Sequence, residues 1–105
     1  STQGVSSAAS DVYKRQQLYC RRLADLETAG ELRPTQASLA KFHNTRAARR
    51  VAAIARDLLG GNGILLENGV MQHMADIEAI HTYEGTESVQ ALLLGRDITG
   101  MSAFA

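Results

Sequence analysis

The sequence predicts an all-α fold, an antiparallel bundle of three longer helices and one short helix. Three observations support this prediction. Apolar residues recur at helical spacing in three segments of the 105-residue chain. Residues that start or stop helices bound those segments. No stretch shows a convincing alternation of apolar and polar residues, which a half-buried strand would require.

The first two helices are expected on either side of a short break at residues 31–34. The first begins at about Asp11, a good N-cap, and ends near Gly30, a plausible C-terminal stop. The second covers residues 35–59, because Pro34 suits a first helical turn and disfavours helix in the residue before it. Apolar faces of the two helices carry Tyr19, Leu23 and Leu26, and Val51, Ile54, Ala55 and Leu58, respectively.

Four arginines of the second helix fall largely outside its apolar face. They are Arg46, Arg49, Arg50 and Arg56. A solvated helix face is the simpler interpretation, since amphipathic helices place their charges opposite the core. A contact with an anion or with another subunit is the functional alternative.

A glycine-rich loop follows the second helix, with the sequence Leu59-Gly60-Gly61-Asn62-Gly63. It holds more glycine than a helix C-cap needs. Glycine permits a positive φ and lets a partner approach the main chain closely. A flexible interhelical loop and a close-contact surface are therefore both open interpretations. The loop is not a Walker A motif, since no Lys-Ser/Thr pair follows, and not a Rossmann fingerprint, since it follows a helix.

The last third of the chain is expected to hold the short helix and the final helix. Residues 68–77 can form the short helix, and residues 77–82 form a connector. Thr86 is a good N-cap for the last helix, which runs to about Thr99 and stops at Gly100. Its apolar stripe begins with Val89, Leu92 and Leu93.

Composition narrows the function classes. Apolar residues make up 45% of the chain, enough for the core of one domain or a piece of one. Eleven basic and eleven acidic residues balance, so nothing favours nucleic acid or an anionic membrane, and membrane insertion is not expected.

Cys20, the single cysteine, is expected to be a small buried apolar residue. No metal site is expected, because His73 and His81 lack metal-ligand spacing to acids, and structural or surface roles suit both.

Glu84 is the candidate for chemistry. It stands in Tyr83-Glu84-Gly85-Thr86, just before the last helix and outside its regular hydrogen bonds. Gly85 leaves the neighbouring backbone bare, so a ligand can approach outward-facing N–H groups there. A carboxylate at this place can serve as a general base, provided that burial makes it basic enough at working pH. The alternative is an acid that only stabilises the helix dipole.

Three segments carry a family resemblance: RDLLGGNGI, DIEAIHTYEGTESVQALLLGRDITG and AF at 103–104. They resemble the C-terminal helical domain of the acyl-CoA dehydrogenases, in particular of glutaryl-CoA dehydrogenases and their near relatives. The resemblance covers roughly residues 18–105. Gly-Gly-Asn-Gly and Tyr-Glu-Gly-Thr occur in the family's order and at a similar separation, and the two motifs together are far more specific than either alone.

The resemblance implies roles for individual residues. Glu84 looks like the catalytic base that removes the pro-R α-proton of an acyl-CoA thioester, while FAD accepts hydride from the β-carbon at N5. Gly85 lies where the family's backbone N–H holds the thioester carbonyl and stabilises the enolate-like charge. Positions matching FAD contacts are Thr86, Glu87, Ser88 and Phe104, together with Asp57, Leu58, Leu59, Gly60 and Gly61, which match a segment that touches the FAD of a neighbouring subunit.

The resemblance also implies a larger protein. The chain would be the C-terminal part of a homotetrameric enzyme that passes electrons to an electron-transfer flavoprotein, in a bacterial cytoplasm or alternatively a mitochondrial matrix. Most of the flavin pocket and the residues that read a glutaryl carboxylate lie upstream in the family, so the isolated chain is expected to be inactive. An acyl-CoA oxidase and a non-catalytic helical interaction module are the alternatives.

Residues 1–16 fit this resemblance poorly. The first ten are small and polar and are expected to be disordered. Residues 5–16, VSSAASDVYKRQ, resemble translated sequencing-adaptor read-through. The prediction is therefore a disordered or non-native segment at 1–16, followed by the helical domain at 17–105. A genuine first helical turn capped by Asp11 is the alternative.

Overall fold

The computed structural model describes residues 2–104 and is built from four α-helices. These are α1 (Thr2–Thr28), α2 (Pro34–Leu58), α3 (Val70–Thr82) and α4 (Glu87–Thr99), with two short 3₁₀ turns at Gly60–Ile64 and Leu66–Asn68. No strand occurs within residues 2–104. The all-α prediction is confirmed.

Helices α1 and α2 form an antiparallel hairpin. The chain reverses at Gly30, whose φ of 71° is left-handed, and α2 then starts with Pro34 in its first turn, as predicted. Leu26 and Ala40 are buried. Further along the pair, Gln16 donates a hydrogen bond of 2.8 Å to the backbone carbonyl of Asn44.

Helix α3 returns antiparallel to α2. Its last turn reaches Thr45 of α2 through His81, while its first residue, Val70, lines the same apolar cavity as Ala55 near the other end of α2. This cavity of about 500 Å³ lies between α1, α2 and α3. Helix α3 thus carries the chain back along α2 and delivers the segment before α4 to the first half of α2.

Helix α4 begins and ends where its capping residues predict. The Thr86 hydroxyl accepts a hydrogen bond of 3.3 Å from the backbone N–H of Val89, which satisfies one of the orphan donors of the first turn. Gly100 adopts a left-handed φ of 74° after the last turn. Both boundary predictions are confirmed.

Three local predictions are wrong. Residues 2–10 continue α1, so Asp11 lies inside a helix and caps nothing; the segment contains two alanines and no proline. The expected connector at 77–82 is helical, because α3 is anchored at its last turn by His81, and the bundle therefore has two long and two shorter helices. Cys20 is exposed instead of buried, although its Sγ lies 4.0 Å from Nδ2 of Asn44 on α2.

The bundle is thin and leaves much apolar surface uncovered. Its radius of gyration is 16.2 Å, whereas a compact domain of this length has about 13 Å. No described side chain is fully buried. Large apolar residues are exposed beside the glycine-rich loop, at the end of α4 and in the tail, including Leu66 at 75%, Ile98 at 81% and Met101 at 76%. No helix in the described part of the chain has the length and apolar character needed to span a bilayer.

Candidate functional site

The turn that connects α3 to α4, residues Tyr83–Gly85, has an unusual backbone. Glu84 has a φ of 55°, the one positive φ of a non-glycine residue within 2–104, and Gly85 follows with 102°. A left-handed conformation costs a residue with a side chain about 1–2 kcal/mol. Such strain persists only where the surroundings impose it, and it concentrates at functional sites.

Lys41 of α2 holds this turn from one side. Its ammonium group donates to the backbone carbonyls of Tyr83 and Gly85, the second at 2.6 Å. The same nitrogen lies 5.6 Å from the centroid of the Tyr83 ring, within range of a cation–π contact. Charged donors make the stronger hydrogen bonds, so one half-buried lysine fixes the carbonyls on both sides of Glu84.

Gln90 of α4 holds the turn from the other side. It is only 7% exposed, and its amide Nε2 donates to the carbonyls of Glu84 and Gly85 at 3.4 and 3.3 Å. A Cβ added at Gly85 would lie 2.6 Å from that nitrogen. Glycine is therefore required at this position both by its positive φ and by the close packing of Gln90.

The Glu84 side chain is exposed on the described chain. Residues 2–104 therefore do not enclose its carboxylate. The dipole-stabilising interpretation, however, is better satisfied by Glu87, which lies in the first turn of α4. A dipole-stabilising acid also needs no strained backbone, so the conformation of Glu84 calls for a different reason.

A polar cluster anchors the start of α4 to α2. Glu87 lies 2.8 Å from His81 Nε2, 3.3 Å from Arg46 Nε and 3.8 Å from Arg49 Nη1. His81 is 8% exposed, and its Nδ1 lies 2.9 Å from the hydroxyl of Thr45. Arg46 and Arg49, two of the four predicted face arginines, thus bind within this cluster, and a third, Arg56, pairs with Asp57 elsewhere on α2. His81 has the structural role expected of it.

An open cleft of about 490 Å³ runs beside this cluster. It is lined by Phe42, Arg46, His81, Thr82, Thr86, Glu87, Ser88 and Ala91. The Arg46 side chain is 65% exposed and lies over the Phe42 ring at 5.3 Å. Hydroxyl groups, an exposed guanidinium and the N–H groups at a helix start are donors suited to the anionic oxygens of a phosphate-bearing cofactor such as FAD.

Residues 86–88, which are predicted to contact FAD, lie at the start of α4, directly after Glu84 and Gly85, and line one cleft. It does not bring the segment 57–61 to them. Asp57 follows Lys41 by sixteen residues of α2, a separation of about 24 Å along a helix. Phe104 lies in the tail after α4 and is 46% exposed. A single compact pocket within one chain does not include both sets.

The glycines of the loop after α2 differ in why a glycine is needed at each position. Gly60 has a φ of 58°, which glycine adopts without strain. Gly63 is buried, and a Cβ there would collide with the backbone carbonyl of Arg56. Gly61 has neither a positive φ nor any atom within 4 Å of an added Cβ, so nothing within the described chain requires glycine there.

Lys41, Gln90 and Thr45 are missed by reasoning from sequence. Lys41 lies 44 residues from Gly85, and Thr45 lies 36 residues from His81. Only the fold pairs such distant positions. The one available signal is that polar residues interrupt apolar runs at Lys41 in Leu39–Phe42 and at Gln90 in Val89–Leu94.

The fold and site together define an antiparallel helical domain that presents an acid on a strained turn before a helix. The profile of the family "Acyl-CoA dehydrogenase, C-terminal domain" matches residues 11–99. The chain belongs to this family, and the predicted resemblance is confirmed.

Similar solved structures include two of glutaryl-CoA dehydrogenase from Mycobacterium smegmatis. One superposes with a TM-score of 0.93 at 38% identity and covers 99% of this chain and 27% of that protein. The other, in complex with FADH2, superposes with a TM-score of 0.92 at 36% identity over the same shares.

Two curated relatives come from other bacteria. A cyclohex-1-ene-1-carbonyl-CoA dehydrogenase of Geobacter metallireducens is 34% identical over 75% of this chain and 21% of its own length. An acyl-CoA dehydrogenase of Bacillus subtilis is 30% identical over 93% of this chain and 27% of its own length. The chain thus spans about a quarter of the length of the proteins it matches.

Proposed function

We propose that the chain is the C-terminal part of an FAD-dependent acyl-CoA dehydrogenase of the glutaryl-CoA type, in which Glu84 is the catalytic base. The observation that carries this proposal is the Tyr83–Gly85 turn, where Glu84 is held at a φ of 55° next to a glycine with a bare backbone. Membership of the family and the similarity to an FADH2-bound glutaryl-CoA dehydrogenase support it.

In the proposed reaction Glu84 removes the α-proton of an acyl-CoA thioester. The α C–H bond breaks, the proton passes to the carboxylate, and its electron pair becomes the new double bond as hydride leaves the β-carbon. When bound, FAD would take up that hydride. The backbone N–H of Gly85 would donate to the thioester carbonyl and stabilise the negative charge that develops there.

The proposed cofactor contacts fall into two groups. Thr86, Glu87 and Ser88 would hold FAD of the same subunit, since they line the cleft beside the turn. The segment 57–61 would touch the FAD of a neighbouring subunit, which agrees with its distance from the turn and with the unexplained glycine at 61. Phe104 would lie near FAD from the exposed tail.

The proposed substrate is a glutaryl-type acyl-CoA, whose oxidation would be followed by decarboxylation to crotonyl-CoA. The enzyme would work as a homotetramer and pass its electrons to an electron-transfer flavoprotein. Apolar residues exposed on this chain, such as Leu66 and Ile98, would be covered by upstream domains or by other subunits. We place the enzyme in a bacterial cytoplasm, because the relatives from Geobacter and Bacillus are bacterial.

The test is the rate at which substrate bleaches the flavin of the full-length protein under anaerobic conditions. Glu84→Gln should keep FAD bound and slow bleaching by a factor of about 100 to 10,000, the usual contribution of a general base. Glu27→Gln, at an exposed site at the end of α1, is the matched control and should bleach at the wild-type rate. Bleaching by Glu84→Gln at the wild-type rate would remove Glu84 from the role of base.

A further inference from the structure

The strained turn is held by two side chains that are not part of the Tyr-Glu-Gly-Thr motif. Lys41 reaches across from α2 to the carbonyls of Tyr83 and Gly85, and Gln90 reaches back from α4 to those of Glu84 and Gly85. All three carbonyls of the turn therefore accept hydrogen bonds from side chains.

We propose that Lys41, assisted by Gln90, is a positioning residue that imposes the left-handed conformation of Glu84 and so aims the base at the α-carbon of the substrate. This inference rests on the proposed function for its catalytic part. Its structural part, that Lys41 and Gln90 impose the backbone conformation, stands independently.

The geometry favours positioning over a general role in stability. Lys41 donates to the residues on both sides of Glu84, so rotation of the backbone at Glu84 would pull at least one carbonyl away from the ammonium group. Glu84 has no steric reason of its own for a positive φ, and the conformation would relax toward negative φ if the donors were removed. A displacement of the carboxylate by about 1 Å is enough to slow a reaction about 100-fold.

Gln90 adds a steric limit. Its amide nitrogen occupies the space where a side chain at residue 85 would lie, and its other amide atom, Oε1, is buried without a partner among the described residues. The unpaired oxygen of Gln90 therefore costs the folded state some free energy. Gln90→Met keeps the shape of this side chain, removes both donors and removes the unpaired oxygen.

The experiment compares Lys41→Met, Lys41→Arg and Gln90→Met in the full-length, FAD-loaded protein. Arg21→Met is the matched control, because Arg21 is a basic residue exposed on α1 within the predicted helical domain at 17–105. Flavin content and thermal midpoint are measured first. The rate of flavin reduction, KM and the kinetic isotope effect with α-deuterated substrate are then measured for each variant, and crystal structures give φ at Glu84.

We expect Lys41→Met to lower the rate of flavin reduction about 10- to 100-fold, to leave KM within about twofold, and to raise the α-deuterium isotope effect as proton removal becomes slower. Lys41→Arg should recover much of the rate, since a guanidinium also donates to two carbonyls. Gln90→Met should show a smaller loss of rate. In the Lys41→Met crystal structure, φ at Glu84 should become negative.

If Lys41→Met and Gln90→Met keep the wild-type rate and the positive φ, the positioning role is overturned. A purely structural role would lower the amount of FAD-loaded protein without changing the rate or isotope effect per bound flavin, and that result would also overturn it. Should Lys41→Met fail to fold, the same criteria apply to Lys41→Arg and Gln90→Met. If Lys41→Met loses the positive φ at Glu84 but Glu84→Gln stays fully active, Lys41 does impose the backbone conformation, and Glu84 is not the catalytic base.

Discussion

The Tyr83–Gly85 turn and the glycine-rich loop after α2 carry the two motifs of this chain, and they are held in different ways. The turn is fixed by side chains from two helices that bond to its carbonyls. The loop is shaped by glycine backbone geometry at Gly60 and Gly63, and its neighbours Ile64, Leu65 and Leu66 are exposed at 59%, 45% and 75%. The chain therefore preorganises the turn by itself, whereas the apolar residues beside the loop are left uncovered by the described residues.

This difference separates two kinds of glycine. Gly85 and Gly63 are required by atoms of this chain, and substitution there should harm the fold. Gly61 is not required by any such atom, and substitution there should weaken only the proposed contact with the FAD of a neighbouring subunit. The following predictions test the distinction, beginning with the largest expected effect on stability.

Gly63→Ala should be the most damaging of these changes. The new Cβ would collide with the backbone carbonyl of Arg56, and backbone cannot move aside as a flexible side chain can. Overpacking of this kind costs about 3 kcal/mol, which lowers the thermal midpoint of a domain of this length by roughly 12 °C or more. Gly61→Ala is the matched control and should stay within about 3 °C of the wild type. Equal midpoints for both variants, measured by calorimetry, would contradict this view of the loop.

Gly85→Ala should cost about 2 kcal/mol through backbone strain at a φ of 102°, with a further loss from contact with Gln90. The double variant Gly85→Ala/Gln90→Ala removes the contact and keeps the strain, so it should differ from the sum of the two single changes. A double-mutant cycle on thermal midpoints measures this coupling. Strict additivity would show that Gln90 does not pack against residue 85.

Thr45→Val should lower stability by about 1–2 kcal/mol, since it leaves the buried His81 without its Nδ1 partner. The variant also loses the bond of 2.7 Å from the Thr45 hydroxyl to the carbonyl of Lys41. Thr82→Val is the control, because Thr82 is exposed and bonds only to the carbonyl of Glu78. The two variants are compared by urea unfolding, and a larger effect at Thr82 would refute the role assigned to the polar cluster.

Asp57→Asn should have the smallest effect on stability. Asp57 is 86% exposed on its side chain and pairs with Arg56 at 3.3 Å, and exposed ion pairs contribute less than about 1 kcal/mol. If segment 57–61 touches the FAD of a neighbouring subunit, the same change should weaken FAD retention in the full-length protein. Fluorescence of released flavin after dilution measures this, and unchanged retention would count against Asp57 as a cofactor contact.

The sequence predicted best those features that depend on neighbouring residues. Pro34 at the start of α2, the Thr86 cap and the Gly100 stop are local signals, and all three are confirmed. The extent of α3 was missed because its last turn is secured by His81 against Thr45, a contact between residues far apart in the chain. Cys20 lies beside Asn44 of α2 and is exposed nevertheless, and the identity of one residue does not reveal that.

The candidate site was only half predictable for the same reason. Glu84 and Gly85 stand together in a recognisable motif, and their roles stay predictions. The strain at Glu84 and the clamp formed by Lys41 and Gln90 could not be foreseen, since they arise from packing of α2 against the start of α4. Glu87 was predicted as a cofactor contact, and its ion pairs with Arg46 and Arg49 add a structural role that the motif does not reveal.

The most direct test of Glu84 as the base is exchange of the α-protons of an acyl-CoA with D₂O on the full-length protein. An analogue that cannot release hydride from its β-carbon isolates removal of the proton from every later step, and mass spectrometry counts the deuterium gained. We expect rapid exchange by the wild type, slow exchange by Lys41→Met, and exchange by Glu84→Gln no faster than in buffer. Wild-type exchange by Glu84→Gln would show that another group is the base and that the strained turn serves some other purpose.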